Sequence, residues 1–347
     1  MKSTLFTLLS PEETGVQFEN SLTSTSELNI LEYLYFYNGG GIAAGDINND
    51  GLVDLFFTGN QVPNKLYLNQ GNFQFEDISE SAGITADGTW STGVTFADVN
   101  GDGLLDIYVC QVSEIGKTPG SNKLYLNLGQ NKFKESAEEY GVDFKGYSTH
   151  ALFFDYDRDG DLDLYLLNHN VKSPEVFAQA EKRTQADPIG DKLYKNLLVE
   201  GKKGFVDVTE SAGIYSSVLG FGLGVAAEDF NGDGWLDLYV SNDFTENDYL
   251  YLNNQDGTFR EALQEMISST SRYSMGNDAA DLNGDGFPEI FTTDMLPENP
   301  EIWMKSVGED KAEVYQIKER FGYGDQYVRN HLQLNRKGKG FSEIALF

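Results

Sequence analysis

Between Asp155 and Tyr165 the chain reads DYDRDGDLDLY, with carboxylates at Asp155, Asp157, Asp159, Asp161 and Asp163. Five like charges at alternate positions repel one another, so the spacing needs a partner of opposite sign. Gly160 at the sixth position permits a tight turn, which aims the side chains at positions 1, 3, 5 and 9 toward one point. The backbone carbonyl at position 7, that of Asp161, joins them. The result is an all-oxygen, mostly anionic cage suited to a hard dication. Calcium fits it better than magnesium, which keeps several waters and a stricter octahedron. Zinc would want His or Cys, and the loop has neither.

The pattern D-x-[DN]-x-D-G-x-x-[DE] occurs four more times. Its candidate ligands are Asp46, Asn48, Asp50, Leu52 (carbonyl) and Asp54 in the first loop, and Asp98, Asn100, Asp102, Leu104 (carbonyl) and Asp106 in the second. The fourth loop offers Asp229, Asn231, Asp233, Trp235 (carbonyl) and Asp237, and the fifth Asp281, Asn283, Asp285, Phe287 (carbonyl) and Glu289. About five structural calcium ions are therefore expected. An EF-hand begins the same way but needs Glu at position 12 and flanking helices. Position 12 here is Phe57, Val109, Leu166, Val240 or Thr292, each inside an alternating apolar run, so an EF-hand is excluded. A single such loop could be a plain polar turn, since turns favour Asp, Asn and Gly. Five with one ligand pattern are not explained that way.

The loops join strands. A glycine-rich strand (a) ends at the first Asp, and a DLYV-type strand (b) follows the ninth position. A KLYLN-type strand (c) and an FxDxS strand (d) complete each unit, with Gly/Asn turns suited to hairpins. Loop starts at 46, 98, 155, 229 and 281 are 52, 57, 74 and 52 residues apart. This predicts an all-β protein, a β-propeller of four-stranded antiparallel blades, with a solenoid of strand pairs as the plainer alternative. Blades are expected at about 38–84, 90–142, 147–214, 220–266 and 273–347, in a single domain over 1–347. Residues 1–20, where LFTLLSPEETGV aligns with FEDISESAGI, are expected to give an orphan outer strand of a closing blade. The text stops short of the glycine expected after the last d strand, so the chain reads as part of a larger ring.

Composition narrows the partners. At 347 residues and 40% apolar content the chain can build a large core, and its net charge of −30 argues against nucleic acid and anionic membranes. Cys110 is the single cysteine, so no internal disulfide is possible. No stretch has the length of a membrane span, and the first residues do not read as a secretory signal. Sites of roughly 10⁻⁴ M affinity in ~1 mM calcium stabilise a fold by about 1.4 kcal/mol each. That contribution vanishes in a calcium-poor cytosol, so an extracellular or cell-surface address is expected.

These motifs resemble a known family. D-x-N-x-D-G-x-x-D at blade spacing, with FGLGVAAED in the fourth unit, resembles the FG-GAP/VCBS repeats of integrin α-chain-like propellers. NKLYLN, FEDISESAGI and SNDF-x-x-NDYLYLN look closer to the cartilage acidic protein type and its bacterial exported relatives, though the ASPIC/UnbV segment that often ends such chains has no counterpart. The resemblance covers nearly the whole chain. It implies a calcium-loaded, usually seven-bladed propeller outside the cytoplasm, used for adhesion or ligand binding, and no catalytic residues.

In an up-and-down blade the a–b and c–d links share one face, and the b–c links lie on the other. The b–c links vary most, notably Gln111–Ser121, Asn168–Gly190 and Asp294–Arg329, the last containing EDKAEVYQIKERF, which reads as a helix. A protein or glycan ligand is expected there, opposite the calcium loops, with Trp90, His150, His169, Asn242, Asp243 and Asp294 as candidate contacts. His150 stands where other units have Gly41, Gly93, Gly224 and Gly276. Nucleophile, zinc-protease and P-loop motifs are absent. Alternatives to a binding module are a polysaccharide lyase-like enzyme with a base such as His150, and a scaffold for protein assembly.

Overall fold

The computed structural model describes residues 5–84, 88–113, 120–169, 187–295, 297, 299–305 and 312–345. They fall into two compact units, Met1–Gly146 and Tyr147–Phe347. The first unit holds two antiparallel sheets. Strands β1 (Ile42–Gly45), β2 (Asp54–Phe57), β3 (Lys65–Asn69) and β4 (Phe75–Asp77) form one. Strands β5 (Trp90–Ala97), β6 (Asp106–Val112), β7 (Lys123–Asn127) and β8 (Phe133–Glu135) form the other.

The second unit holds three. They are β9 (Ser148–Phe154), β10 (Asp163–Asn168), β11 (Lys192–Asn196) and β12 (Phe205–Asp207); then β13 (Gly222–Glu228), β14 (Asp237–Asn242), β15 (Tyr249–Asn253) and β16 (Phe259–Glu261). After a short β17 (Ser269–Ser271), the last is built from β18 (Gly276–Ala280), β19 (Glu289–Thr293), β21 (His331–Asn335) and β22 (Phe341–Glu343). Strand β20 (Asp325–Tyr327) lies within the long link of this sheet and pairs in parallel with β17. Among the described residues the protein is thus all-β, with five four-stranded antiparallel blades of the propeller type; four are meanders of consecutive strands, and in the fifth β20 intervenes between the second and third.

In the second and third blades every residue of the second strand is buried. In β14 every residue is buried, because the strand packs on both faces. Leu238 and Val240 join Tyr165 and Leu167 of β10 in one core cluster, whereas Tyr239 joins Ile290 of β19 in the next. The alternation therefore points to two cores, not to core and solvent. In the first unit Phe56, Leu66, Ile107 and Tyr125 form the corresponding layer between its two blades.

The long link carries helices Pro300–Trp303 and Ala312–Arg320, the second lying inside the expected helical text. Most of the Gln111–Ser121 and Asn168–Gly190 links lies outside the described residues. The N-terminal segment departs from expectation. It forms a capped helical turn, Pro11–Thr14, closed by Gly15 at φ 80°. A Cβ on Gly15 would stand 2.4 Å from the Phe75 carbonyl, as one on Gly213 would stand 2.6 Å from that of Phe259. Gln17 N–H donates to the Tyr67 hydroxyl at 3.3 Å, matching Tyr215 N–H on Tyr251 at 3.1 Å. The segment thus packs on the first blade as the tail after β12 packs on the fourth. The strand expected ahead of it is not formed among the described residues: Leu5, Phe6 and Leu8 are largely exposed and have no ladder to hold them.

The residue just before each third strand fastens the link that precedes it. Asn64, Asn122, Asp191, Asp248 and Asn330 accept a backbone N–H, from Gly59, Gln111, Asn168, Asn242 and Asp294 respectively, at 2.8–2.9 Å. Asp191 also takes the Tyr165 hydroxyl at 2.9 Å, and Asp248 that of Tyr239 at 2.6 Å. Burial pushes both carboxyls up to about 7. A carboxyl raised on folding favours the fold while protonated. The contribution of these two is therefore full below about pH 4, is lost as pH rises toward 7, and does not return above it. Asp191→Asn and Asp248→Asn adopt the residue of the other blades and should flatten that slope. Urea unfolding at fixed metal load should show each variant gaining on the parent by on the order of 1 kcal/mol between pH 5 and pH 8.

Candidate metal centre

Each aspartate loop links the first and second strands of its blade and is organised by its own amides. The first Asp accepts the N–H of position 5 at 3.0–3.1 Å and that of the Gly at position 6 at 2.7–3.2 Å in all five loops. The Asp at position 5 accepts the N–H of position 7, at 2.8 Å for Leu52 and 2.9 Å for Leu104 and Trp235. Positions 4 and 6 both take positive φ, as at Asn49 (59°) and Gly51 (85°), or Gly232 (77°) and Gly234 (89°). Glycine suits these positions because a Cβ is disfavoured there. The turn so formed fastens the carboxylates of positions 1 and 5 to the loop's own amides.

The ninth residue opens the second strand and is buried in every blade: Asp54, Asp106, Asp163, Asp237 and Glu289 are at most 2% exposed. In the first four blades one oxygen accepts the N–H of position 2 at 3.0–3.3 Å, and the other accepts the N–H of an asparagine on the third strand at 2.8 Å. Glu289 likewise accepts the position-2 N–H, that of Leu282, but its other oxygen takes the Asn283 side-chain amide, both at 2.9 Å. Burial pushes Asp106 and Asp237 up to about 7 and Asp163 to about 8, with neighbouring loop carboxylates adding to it. No cation is paired with Asp106 or Asp237 among the described residues, and a dication beside them would supply the missing charge. The oxygen-only donor set of the first, second and fourth loops fits calcium, and the fifth fits with a longer acid.

The third loop differs. Asp155, Asp157 and Asp159 offer oxygens within 4.8 Å of one another, the one such group among the described residues. Lys195 from β11 reaches into it, pairing with Asp157 and, at 3.0 Å, with Asp159. Although burial opposes charge, these two carboxylates raise the lysine's pKa and keep it an ammonium.

An asparagine ends every third strand, a signal that sequence reasoning left unused. Asn127 donates to the carbonyl of Ile47 at 2.7 Å, Asn253 to that of Tyr156 at 2.8 Å and Asn335 to that of Phe230 at 2.9 Å. Each acceptor is position 2 of the loop in the preceding blade. One blade thus positions the loop of its neighbour.

Four residues expected to meet a ligand are instead buried. Trp90 is 5% exposed and packs edge-on against Tyr33 and beside Phe36. His169 is 2% exposed, between the rings of Tyr147 and Phe221. Asn242 accepts from Phe221 N–H at 2.9 Å and donates to the Asn247 carbonyl at 2.8 Å, and Asp243 is 1% exposed. Their place near the links is as expected, but neighbouring segments cover them. His150 and Asp294 remain half-buried. Burial lowers the pKa of His150, which lies opposite Leu167, and Asp294 accepts from Ser271 at 2.5 Å and Tyr273 N–H at 3.1 Å.

Blades of four antiparallel strands, each with an aspartate loop in its first hairpin, define a repeat protein of the propeller type. The model of the FG-GAP-like repeat matches residues 33–109, 114–166 and 202–292. The chain belongs to the FG-GAP-like repeat family. It is 29% identical to cartilage acidic protein 1 of Xenopus tropicalis over 240 residues, 67% of this chain and 33% of that protein. The Homo sapiens protein of that name is 28% identical over 211 residues, 59% of this chain and 28% of its own length. The chain therefore spans about a third of the length of these curated relatives. Among solved structures, an Agrocybe aegerita lectin described as recognising non-reducing terminal N-acetylglucosamine aligns over 88% of this chain and 66% of its own, at 14% identity and a TM-score of 0.45. No helix among the described residues is long and apolar enough to cross a membrane.

Proposed function

We propose that this chain is a calcium-stabilised propeller module that works outside the cytoplasm as an adhesion or ligand-binding surface. The observation that supports it is the recurrence of one loop, with positions 1, 5 and 6 bonded alike in five blades above a buried acid at position 9. In the first loop Asp46, Asn48, Asp50, the Leu52 carbonyl and Asp54 would hold the ion, and the corresponding residues would do so in the second, fourth and fifth. Bound calcium supplies the positive charge that lets these carboxylates stay ionised close together. The chain's own amides hold the loop open to receive it. Sites of the affinity usual for extracellular modules fill only where calcium is near millimolar, which supports an address outside the cytoplasm. The name of its cartilage relatives agrees with that address. A protein or glycan partner would dock on the b–c link side, where His150 and Asp294 keep some exposure.

Equilibrium dialysis of chelator-stripped protein tests the reading. Several calcium ions per chain should bind at 10⁻⁴–10⁻³ M, with equimolar magnesium displacing few of them. Fewer than about three ions per chain would contradict a metal role for a repeated loop.

A further inference from the structure

We infer that the third aspartate loop is served by a cation of the chain's own, the Lys195 ammonium, and takes no calcium ion. The inference rests on the calcium reading of the other loops. Lys195 is the fourth residue of its strand, a place held by Leu68, Leu126, Leu252 and Leu334 in the other blades. Asp157 stands at loop position 3, where the others have Asn48, Asn100, Asn231 and Asn283. These two departures occur in the same blade and their side chains are in contact. One adds a negative charge and the other a positive charge, so they cancel as a pair.

The lysine also takes over a mechanical task. In the first and fourth loops the asparagine amide donates across the loop to the Asp at position 5, from Asn48 to Asp50 and from Asn231 to Asp233, both at 3.0 Å. An aspartate at position 3 cannot donate. Lys195 bridges positions 3 and 5 instead, touching Asp157 and Asp159 at once. Those are the oxygens a metal ion would need, and an ammonium among them repels a dication brought to the same point. Of the further acid of this loop, Asp161, one oxygen accepts the Val199 N–H at 2.9 Å, while its other oxygen and the second oxygen of Asp157 are buried without a hydrogen-bond donor among the described residues.

Native mass spectrometry in calcium counts the ions. The Lys195→Leu variant restores the residue of the other blades and should bind one more calcium than the parent. The triple variant Asp157→Asn, Asp161→Leu, Lys195→Leu reproduces the ligand positions of the second loop and should do the same if the single variant does not fold. Equal counts for the parent and the folded variants would overturn the inference while leaving calcium in the other loops. A parent and variants that all bind none would instead overturn the calcium reading itself, and the inference with it.

Discussion

Removing calcium with a chelator should lower the melting temperature of this protein by on the order of 10 °C. Four loops of roughly 10⁻⁴ M affinity in ~1 mM calcium contribute about 6 kcal/mol together if they act independently. For a fold of 347 residues the entropy of unfolding turns that into a shift of this size. The physical source is visible in each loop. Two carboxylates sit in the turn at positions 1 and 5 and a third acid is buried at position 9, its pKa pushed up by burial at Asp54, Asp106 and Asp237. Without a dication this charge either repels or takes up protons. Calorimetry in calcium and in chelator checks it, and magnesium should restore little. A shift below about 2 °C would mean that the amide bonds alone hold the loops.

The second large effect concerns the asparagine that closes each third strand. Asn253→Ala should cost about 3 kcal/mol. Asn253 is 4% exposed, and its amide donates to Tyr156 at 2.8 Å and Leu236 at 3.2 Å while its oxygen accepts Gln255 N–H at 2.8 Å. Alanine leaves two carbonyls and one N–H without these partners, and the Tyr156 carbonyl belongs to the neighbouring blade. Asn69 provides the control. Its side chain serves Val53 and Gly71 of its own blade, both at 2.8 Å. Asn69→Ala should therefore be milder by about 1 kcal/mol in urea unfolding, and equal losses would argue against a bond between blades as the source.

Much of this architecture was legible because repetition carries it. The spacing of Asp46, Asp50 and Asp54 and its four copies announced the loops, and the runs after them announced the second strands. The acid at position 9 was read only as a ligand, yet Asp106 also ties two backbone segments together, through Val99 and Asn127. That dual role depends on which amides lie nearby in space. The asparagines at 127, 253 and 335 were printed in the repeat, but their partners lie one blade away and up to 105 residues earlier. Lys195 drew no attention in the sequence, although its place is leucine in the other blades, because only the fold brings it against Asp157. The link-side candidates misled for a related reason. Position near a link says nothing of cover, and Tyr33 and Phe36 lie on Trp90 from a segment about 55 residues earlier.

The most direct measurement is a crystal structure of the protein grown in millimolar calcium, with anomalous scattering used to locate the ions. The account predicts peaks in the first, second, fourth and fifth loops, ringed by oxygens at about 2.3–2.6 Å, and the Lys195 ammonium alone in the third. Loops that keep their amide network but show only water among the carboxylates would contradict it.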